Sequence, residues 1–249
     1  MLAFIAAEKR EFSGFLANAE RLVKIDWPID FARKVWLNGR AAVLVANGPG
    51  PKLAGQAVEL LKGAEDLKGL VSTGFCGGLD PALQPCDIFV ADEILTLSNS
   101  YSNHDRNPDA LPSRDRQGAI APKSLADARG SVINGSLLSM DRVATGVAEK
   151  AELRKTGASA VEMEAAAVAA KALEWNVPFY CIRVVTDTAS ESFPLDFNRL
   201  RDAEGRFSRT RIVGAALLRP LAFPELMKLN KRCNAASKAL GDFVASCRF

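Results

Sequence analysis

Three carboxylates stand where apolar runs of this chain give way to polar ones. The stretch Ala160-Val161-Glu162-Met163-Glu164-Ala165-Ala166-Ala167-Val168 sets Glu162 and Glu164 around a methionine at the entry of a small-residue helix. The run Phe179 to Val185 leads to a third, Asp187, in Val184-Val185-Thr186-Asp187-Thr188. An anion can grip a vicinal diol and an acid can protonate a departing group, so this set suits cleavage of a ribosyl bond. Asp187 has a plainer reading as a turn residue or helix cap. Two residues apart, Glu162 and Glu164 share a side at a strand end but diverge by about 200° at a helix start. On the helical reading only one of them holds a ligand, and Met163 offers an adaptable apolar contact to a sugar or base.

Other candidate groups sit at junctions. Glu8 and Glu11 follow the first apolar run, and in α/β sheets ligands gather beyond the carboxyl ends of strands. A carboxylate there can activate water. The neighbours Lys9 and Arg10 suit an ordinary solvated helix start equally well. Ser72-Thr73-Gly74-Phe75-Cys76-Gly77-Gly78-Leu79 closes a strand on three glycines. Such glycines let backbone approach a ligand and present N–H groups to an anion or a base edge, and a tight turn explains them as well. The spacing is not G-x-G-x-x-G and no helix pattern follows, which argues against a nicotinamide cofactor. Asn47-Gly48-Pro49-Gly50 lies at a strand-to-helix junction, where anions bind, although a plain turn is the simpler account.

The elements that must position these groups alternate in type. Leu2 to Ala7 reads as a buried strand and Glu8 to Leu22 as a helix. Lys34 to Leu37 and Ala41 to Ala46 flank Asn38-Gly39 as a hairpin. A helix runs to Leu61, Gly69 to Thr73 is a strand entering the glycine turn, and Asp87 to Leu97 is a longer strand. Ser98 to Pro122 reads as a long polar loop holding the lone His104. Ser131 to Ser139 and Phe179 to Val185 are strands, while Glu162 to Trp175, Phe207 to Leu218 and Glu225 to Val244 are helices. Interleaved strands and helices predict an α/β layered fold. With no repeat or linker, residues 1–249 read as one domain, ending in an amphipathic helix over 222–249.

Composition excludes several classes. A net charge of +3 with dispersed Lys and Arg argues against a nucleic-acid partner. Five cysteines lack C-x-x-C spacing and there is one histidine, which argues against a zinc site. The thiols read as free groups in a reducing, cytoplasmic setting. Met1 to Ala7 has no preceding basic residue and runs straight into Glu8-Lys9-Arg10-Glu11, which fits a first strand better than a signal peptide. No apolar run approaches the ~18 residues a membrane span needs. In the tail, Leu226, Leu229, Cys233, Ala236, Leu240, Phe243 and Cys247 form one stripe, with Lys228, Lys231, Arg232 and Lys238 off it. The stripe fits packing on the domain or a second subunit; the alternative is a basic helix touching a membrane surface.

Taken together, the glycine turn, Val161-Glu162-Met163-Glu164-Ala165 and Thr186-Asp187 resemble the nucleoside phosphorylase and nucleosidase superfamily, from Met1 to about Phe197. The spacing of Glu164 and Asp187 is similar to that of bacterial methylthioadenosine/S-adenosylhomocysteine nucleosidases, and Leu217 to Leu240 looks more like the hopanoid-associated branch, which is thought to release adenine from adenosylhopane. The resemblance implies a three-layer α/β/α sandwich around a mixed, partly closed sheet. It implies that Glu164 accepts hydrogen bonds from the ribose 2′- and 3′-hydroxyls, that Met163 packs on the sugar, and that Asp187 protonates purine N7. It further implies that Glu11 activates water and that Gly77 and Gly78 lie near base and ribose.

Two departures bear on the reaction. The phosphorylase branch has Arg at the position of Ser72 and Ser at that of Phe75, and its Gly-Asp-Pro-x-Arg loop is missing here. Without those donors a phosphate dianion is poorly held, so water is the expected nucleophile, unless Lys9, Arg10 or a neighbouring subunit supplies the charge. The nucleosidases place an aromatic after Ser-x-Asp, whereas Ser139-Met140-Asp141 is followed by Arg142 and Val143; Phe75 is the candidate replacement. The expectation is therefore hydrolysis of a 5′-substituted adenosine by a homo-oligomer needing no metal or organic cofactor. A phosphate-dependent phosphorylase and a non-catalytic nucleoside-binding protein are the alternatives.

Overall fold

The computed structural model describes residues 1–64, 66–97, 132–219 and 222–247. Its strands are β1 (Leu2–Ala6), β2 (Arg21–Lys24), β3 (Phe31–Leu37), β4 (Arg40–Ala46), β5 (Gly69–Gly78), β6 (Ile88–Thr96), β7 (Val132–Ser139), β8 (Ala160–Glu162) and β9 (Phe179–Asp187). Its α-helices are α1 (Ser13–Ala17), α2 (Pro51–Glu59), α3 (Val147–Arg154), α4 (Ala165–Glu174), α5 (Arg209–Leu218) and α6 (Phe223–Ser246).

All described strands join one mixed sheet in the order β2-β3-β4-β1-β5-β8-β7-β6-β9, and β9 returns to pair with β5. Strands β5, β8, β7, β6 and β9 therefore form a closed ring, with β1 to β4 as an open wing. β5 serves both parts: Gly69 to Ser72 pair with β1, Leu70 to Gly77 with β9, and Gly77 and Gly78 with β8.

Two-residue periodicity divides the core between the sheet's faces. On β1, Ala3 and Ile5 face a cluster with Ala54, Val58, Val168 and Ala172 of α2 and α4. Phe4 and Ala6 face the opposite cluster with Phe12, Phe15, Leu240 and Phe243 of the α1 and α6 side. Helices thus cover both faces, giving the expected three-layer α/β/α arrangement with a partly closed sheet. The hairpin reading from Asn38-Gly39 holds, with φ of 50° and 71° supplying the left-handed pair that a two-residue turn needs. The strands around it are longer than the sequence suggests, because β3 begins at Phe31, opposite Ala46.

Several boundaries differ. Glu8 to Leu22 is not one helix: a 3₁₀ turn over Lys9–Phe12 leads into the short α1, and Arg21–Lys24 becomes an exposed edge strand on β3. Its order comes from that pairing, which local sequence does not show. Gly74 to Gly78 continues β5 instead of forming a turn, with a register shift between Cys76 and Gly77. The residues Ala160–Glu162 are a strand, and α4 begins only at Ala165. Helix α5 starts at Arg209, after the cap Ser208, and α6 spans Phe223–Ser246. The loop read over Ser98 to Pro122, with His104, lies outside the described residues. Among those described, no helix is long and apolar enough to cross a membrane, and all five cysteines are free.

The α6 stripe packs inward: Cys233, Ala236, Leu240 and Phe243 are buried, while Leu226 and Leu229 are half-buried. This contact is made backbone to backbone. A Cβ on Gly241 would run into the backbone of Gly14, and a Cβ on Gly14 would run into the carbonyl oxygen of Ser237. Gly241→Ala gains about 1 kcal/mol of helix propensity. Overpacking costs about 1–3 kcal/mol and wins here, because neither colliding group is a flexible side chain. The variant should unfold at a lower urea midpoint than the wild type; an equal or higher midpoint would contradict the close crossing of α1 and α6.

Candidate active site

Glu11 is presented by the tight turn after β1. Its Oε2 accepts from the N–H of Glu8 and its Oε1 from the N–H of Phe75, each at 2.8 Å. Gly74 makes this approach possible: its φ is +120°, and a Cβ there would lie 2.6 Å from Glu11 Oε1. Burial raises the Glu11 carboxyl to about 7, against the lowering effect of the two N–H donors.

Glu162 ends β8, and Met163 and Glu164 form a bend before α4, so the two glutamates stand on different kinds of backbone. Glu162 folds back on the helix start, its carboxylate accepting from the N–H groups of Glu164 and Ala165 at 2.8–3.0 Å. Glu164 turns toward α2, and its Oε1 accepts from the N–H of the capping residue Gly50 at 2.9 Å. The strand-to-helix junction at Asn47-Gly48-Pro49-Gly50 thus holds a carboxyl group belonging to the protein itself. Burial, with the neighbouring Glu162, raises Glu164 to about 8.

Both glutamates reach Arg183, so the divergence expected of a helix start does not hold; Glu162 stands at a strand end instead. Arg183 is fully buried on β9. Its Nη2 donates to Glu162 and to Ser72 Oγ at 2.6 Å; its Nη1 donates to Thr73 O at 2.9 Å and lies 3.3 Å from Glu164 Oε2. Sequence reading missed it, although a lone arginine inside the apolar run Phe179 to Val185 was the available signal.

Asp187 ends β9, beside the close backbone of Gly77, where a Cβ would lie 3.0 Å from Oδ2. Oδ1 accepts from Thr186 Oγ1 at 2.9 Å and Oδ2 from Lys150 Nζ at 2.5 Å. Burial raises the Asp187 carboxyl, and Lys150 opposes that shift. Lys150, on α3, was likewise missed; nothing local marks it among the charged residues of a polar helix.

Glu11, Phe75, Gly77, Glu162, Met163, Glu164 and Asp187 all line one cavity of about 260 Å³. Gly78 is not in its wall; a Cβ there would meet Asp187 O at 3.2 Å and Leu83. Met163 is almost buried, and its sulfur accepts from Arg201 Nη2 at 3.1 Å. Arg10 also lines the cavity, its guanidinium 5.7 Å from the Phe75 ring centre. The aromatic residues that sequence reading did not find are Phe193, Phe197 and Phe207. They line the cavity and contact one another edge-on, at 5.4 and 6.1 Å between ring centres.

A family model described as the phosphorylase superfamily matches residues 26–215, well over half of the chain. The chain belongs to that superfamily, and is thereby an enzyme of nucleoside chemistry. Its fold is similar to that of a Neisseria meningitidis 5′-methylthioadenosine/S-adenosylhomocysteine nucleosidase solved with methylthio-immucillin-A, at 23% identity and TM-score 0.65, covering 99% of each chain. The Campylobacter jejuni nucleosidase is similar at 18% identity and TM-score 0.70, covering 98% of this chain and 96% of that one. The Helicobacter pylori futalosine hydrolase is similar at 18% identity and TM-score 0.67, covering 99% and 97%.

The raised Glu11 carboxyl links stability to pH. Between about pH 4.5 and 7 the folded state retains a proton that the unfolded chain has lost, so this contribution to stability declines as pH rises through that window. Glu11→Gln removes it. The drop in melting temperature from pH 5 to pH 8 should be smaller in Glu11→Gln than in wild type, whatever the offset between them. An identical drop would mean that Glu11 ionises normally.

Proposed function

We propose that this protein cleaves the N-ribosidic bond of a purine nucleoside, with water as nucleophile and a 5′-substituted adenosine as substrate. The observation carrying the reading is that Glu11 and Asp187, delivered from separate strand ends, line the same cavity as Met163 and Glu164. Departure of the base leaves an oxocarbenium-like sugar. Glu164, oriented by Gly50 and Arg183, accepts hydrogen bonds from the ribose diol. Asp187 gives its proton to the purine so that the base leaves neutral, and Glu11 orients and deprotonates the attacking water. With Asp187 carrying its proton and Glu162 paired to Arg183, Glu164 and Glu11 are the carboxyl groups left to face the sugar. When ionised, they stabilise the positive charge that develops there.

A phosphate dianion finds few uncommitted cations here. Arg183 is committed to Glu162, Glu164, Ser72 and Thr73, and Arg142 to Glu149. Phosphorolysis is the second reading, and Arg10 favours it: this cation lines the cavity, with a hydrogen bond to Asn230 at 3.4 Å. The ligands of the similar structures support a purine here, since one nucleosidase holds a methylthio-immucillin and that of Colwellia psychrerythraea holds adenine. Phe193, Phe197, Phe207, Ile212 and Leu229 give the cavity an apolar stretch. That supports a large apolar 5′ group, as in adenosylhopane. Homo-oligomerisation is supported by Val213, Leu217 and Leu218 of α5 and Phe223 of α6, which the single chain leaves exposed.

Incubation with adenosine, methylthioadenosine and inosine should release free base without phosphate. Strict dependence on phosphate would transfer the reading to a phosphorylase. Asp187→Asn should lower kcat by about 10²–10⁴-fold while nucleoside binding persists; wild-type turnover in that variant would exclude Asp187 as the acid.

A further inference from the structure

Lys150 has no part in the chemistry just described, yet it is the most completely engaged cation beside the cavity. Its side chain is 1% exposed. An ammonium has three N–H donors, and each meets an acceptor: Asp187 Oδ2 at 2.5 Å, Thr188 O at 2.7 Å and Glu191 O at 3.0 Å. The Phe193 ring centre lies 5.5 Å from Nζ on a further side. All three partners are acceptors, the arrangement an ammonium group requires. The surrounding segment is built to hold it. Thr188 N donates to Glu191 Oε2, Glu191 pairs with Arg232 of α6, Val147 N reaches Ser192 Oγ, and Phe193 N reaches Thr145 O.

Other ionisable groups act on Asp187 from each packed element. Glu191 lies on its own segment, with Arg232 and Cys233 on α6 and Cys76 on β5. Among the described residues, Lys150 is the cation in hydrogen-bond contact with the carboxylate.

We propose that Lys150 is a positioning residue for leaving-group protonation, fixing how far up the pH scale Asp187 can hold the proton it must donate. The proposal rests on the reading of Asp187 as the acid. In the step itself the Asp187 carboxyl proton passes to purine N7 while the N9–C1′ bond breaks, its electron pair going to the base. Water adds to C1′, and its surplus proton goes to Glu11. Asp187 is then left as a carboxylate against the Lys150 ammonium. The cation therefore stabilises the product of proton transfer and competes with reprotonation. It makes Asp187 a stronger acid that is loaded only at lower pH.

Two measurements test this. In the first, the Asp187 side-chain carbon is titrated by ¹³C NMR in wild type, Lys150→Met, Lys150→Gln and Lys150→Arg, which requires no turnover. An opposite charge in contact holds a carboxyl down by about 1–3 pH units, so the Met and Gln variants should titrate about one unit or more above wild type, and Arg should stay with wild type. The second is the ratio of purine-nucleoside to 4-nitrophenyl ribofuranoside cleavage against pH. The nitrophenolate leaves unprotonated, so the ratio isolates Asp187 from sugar binding and from Glu11. It falls as pH rises through the Asp187 pKa, and its midpoint should rise by the same amount in Lys150→Met and Lys150→Gln. Unmoved titration or an unmoved midpoint in folded variants would reduce Lys150 to a structural tie and overturn the proposal. Wild-type protein that cleaves neither substrate would overturn the nucleosidase reading, and the carboxyl titration would still decide the role of Lys150.

Discussion

A single buried guanidinium organises the carboxylate end of this fold. Arg183 sits on β9, takes hydrogen bonds to Ser72 and Thr73 of β5, and pairs with Glu162 and Glu164 at the junction of β8 and α4. Three parts of the sheet and one helix start therefore share one charge. Each buried carboxylate would otherwise be an uncompensated anion, a condition that costs about 3–5 kcal/mol when a partner is lost. Arg183 is itself raised further by those carboxylates and is a permanent cation. The two glutamates divide the work around it: Glu162 closes the α4 start, while Glu164 also reaches Gly50 and faces the cavity.

Around that charge, the site depends on backbone being allowed close to carboxylates. The absent side chain of Gly74 admits Glu11 and exposes the Phe75 N–H, and that of Gly77 admits Asp187. Both lie on β5, the strand shared by the closed ring and the open wing. The same glycines that read as a turn in the sequence are strand residues whose lack of Cβ makes room for acid groups from two neighbouring elements.

Part of this was legible beforehand. The alternation of β1, the Asn38-Gly39 hairpin and the acidic residues after apolar runs all follow from local rules, and Glu11, Glu162, Glu164 and Asp187 line one cavity. What local rules missed has specific causes. Strand and helix rules each cover only part of the Glu162-Met163-Glu164 segment, because Glu162 ends β8 while Glu164 lies in the bend before α4. Arg183 is hidden inside a strand whose partners are set by tertiary pairing. Lys150 resembles its exposed neighbours on α3 until the turn after β9 folds against it. Phe193, Phe197 and Phe207 are spread over a non-periodic segment, so no spacing joins them. Strand β2 has four exposed residues and exists only through its pairing with β3.

The ring of strands also dictates when the site can come into being. β5 and β9 are neighbours in the sheet, yet Leu70 pairs with Phe179, more than a hundred residues further along the chain. Hairpins such as β3–β4 close over short loops, whereas this pairing must bear the entropy of a very long one. Arg183 and Asp187 ride on β9, so the N-terminal wing can assemble without either of them. Asp187, and the cation that gathers the glutamates, take their places only when the longest-range strand pairing among the described residues has formed; a molecule halted before that closure has a sheet but an incomplete cavity.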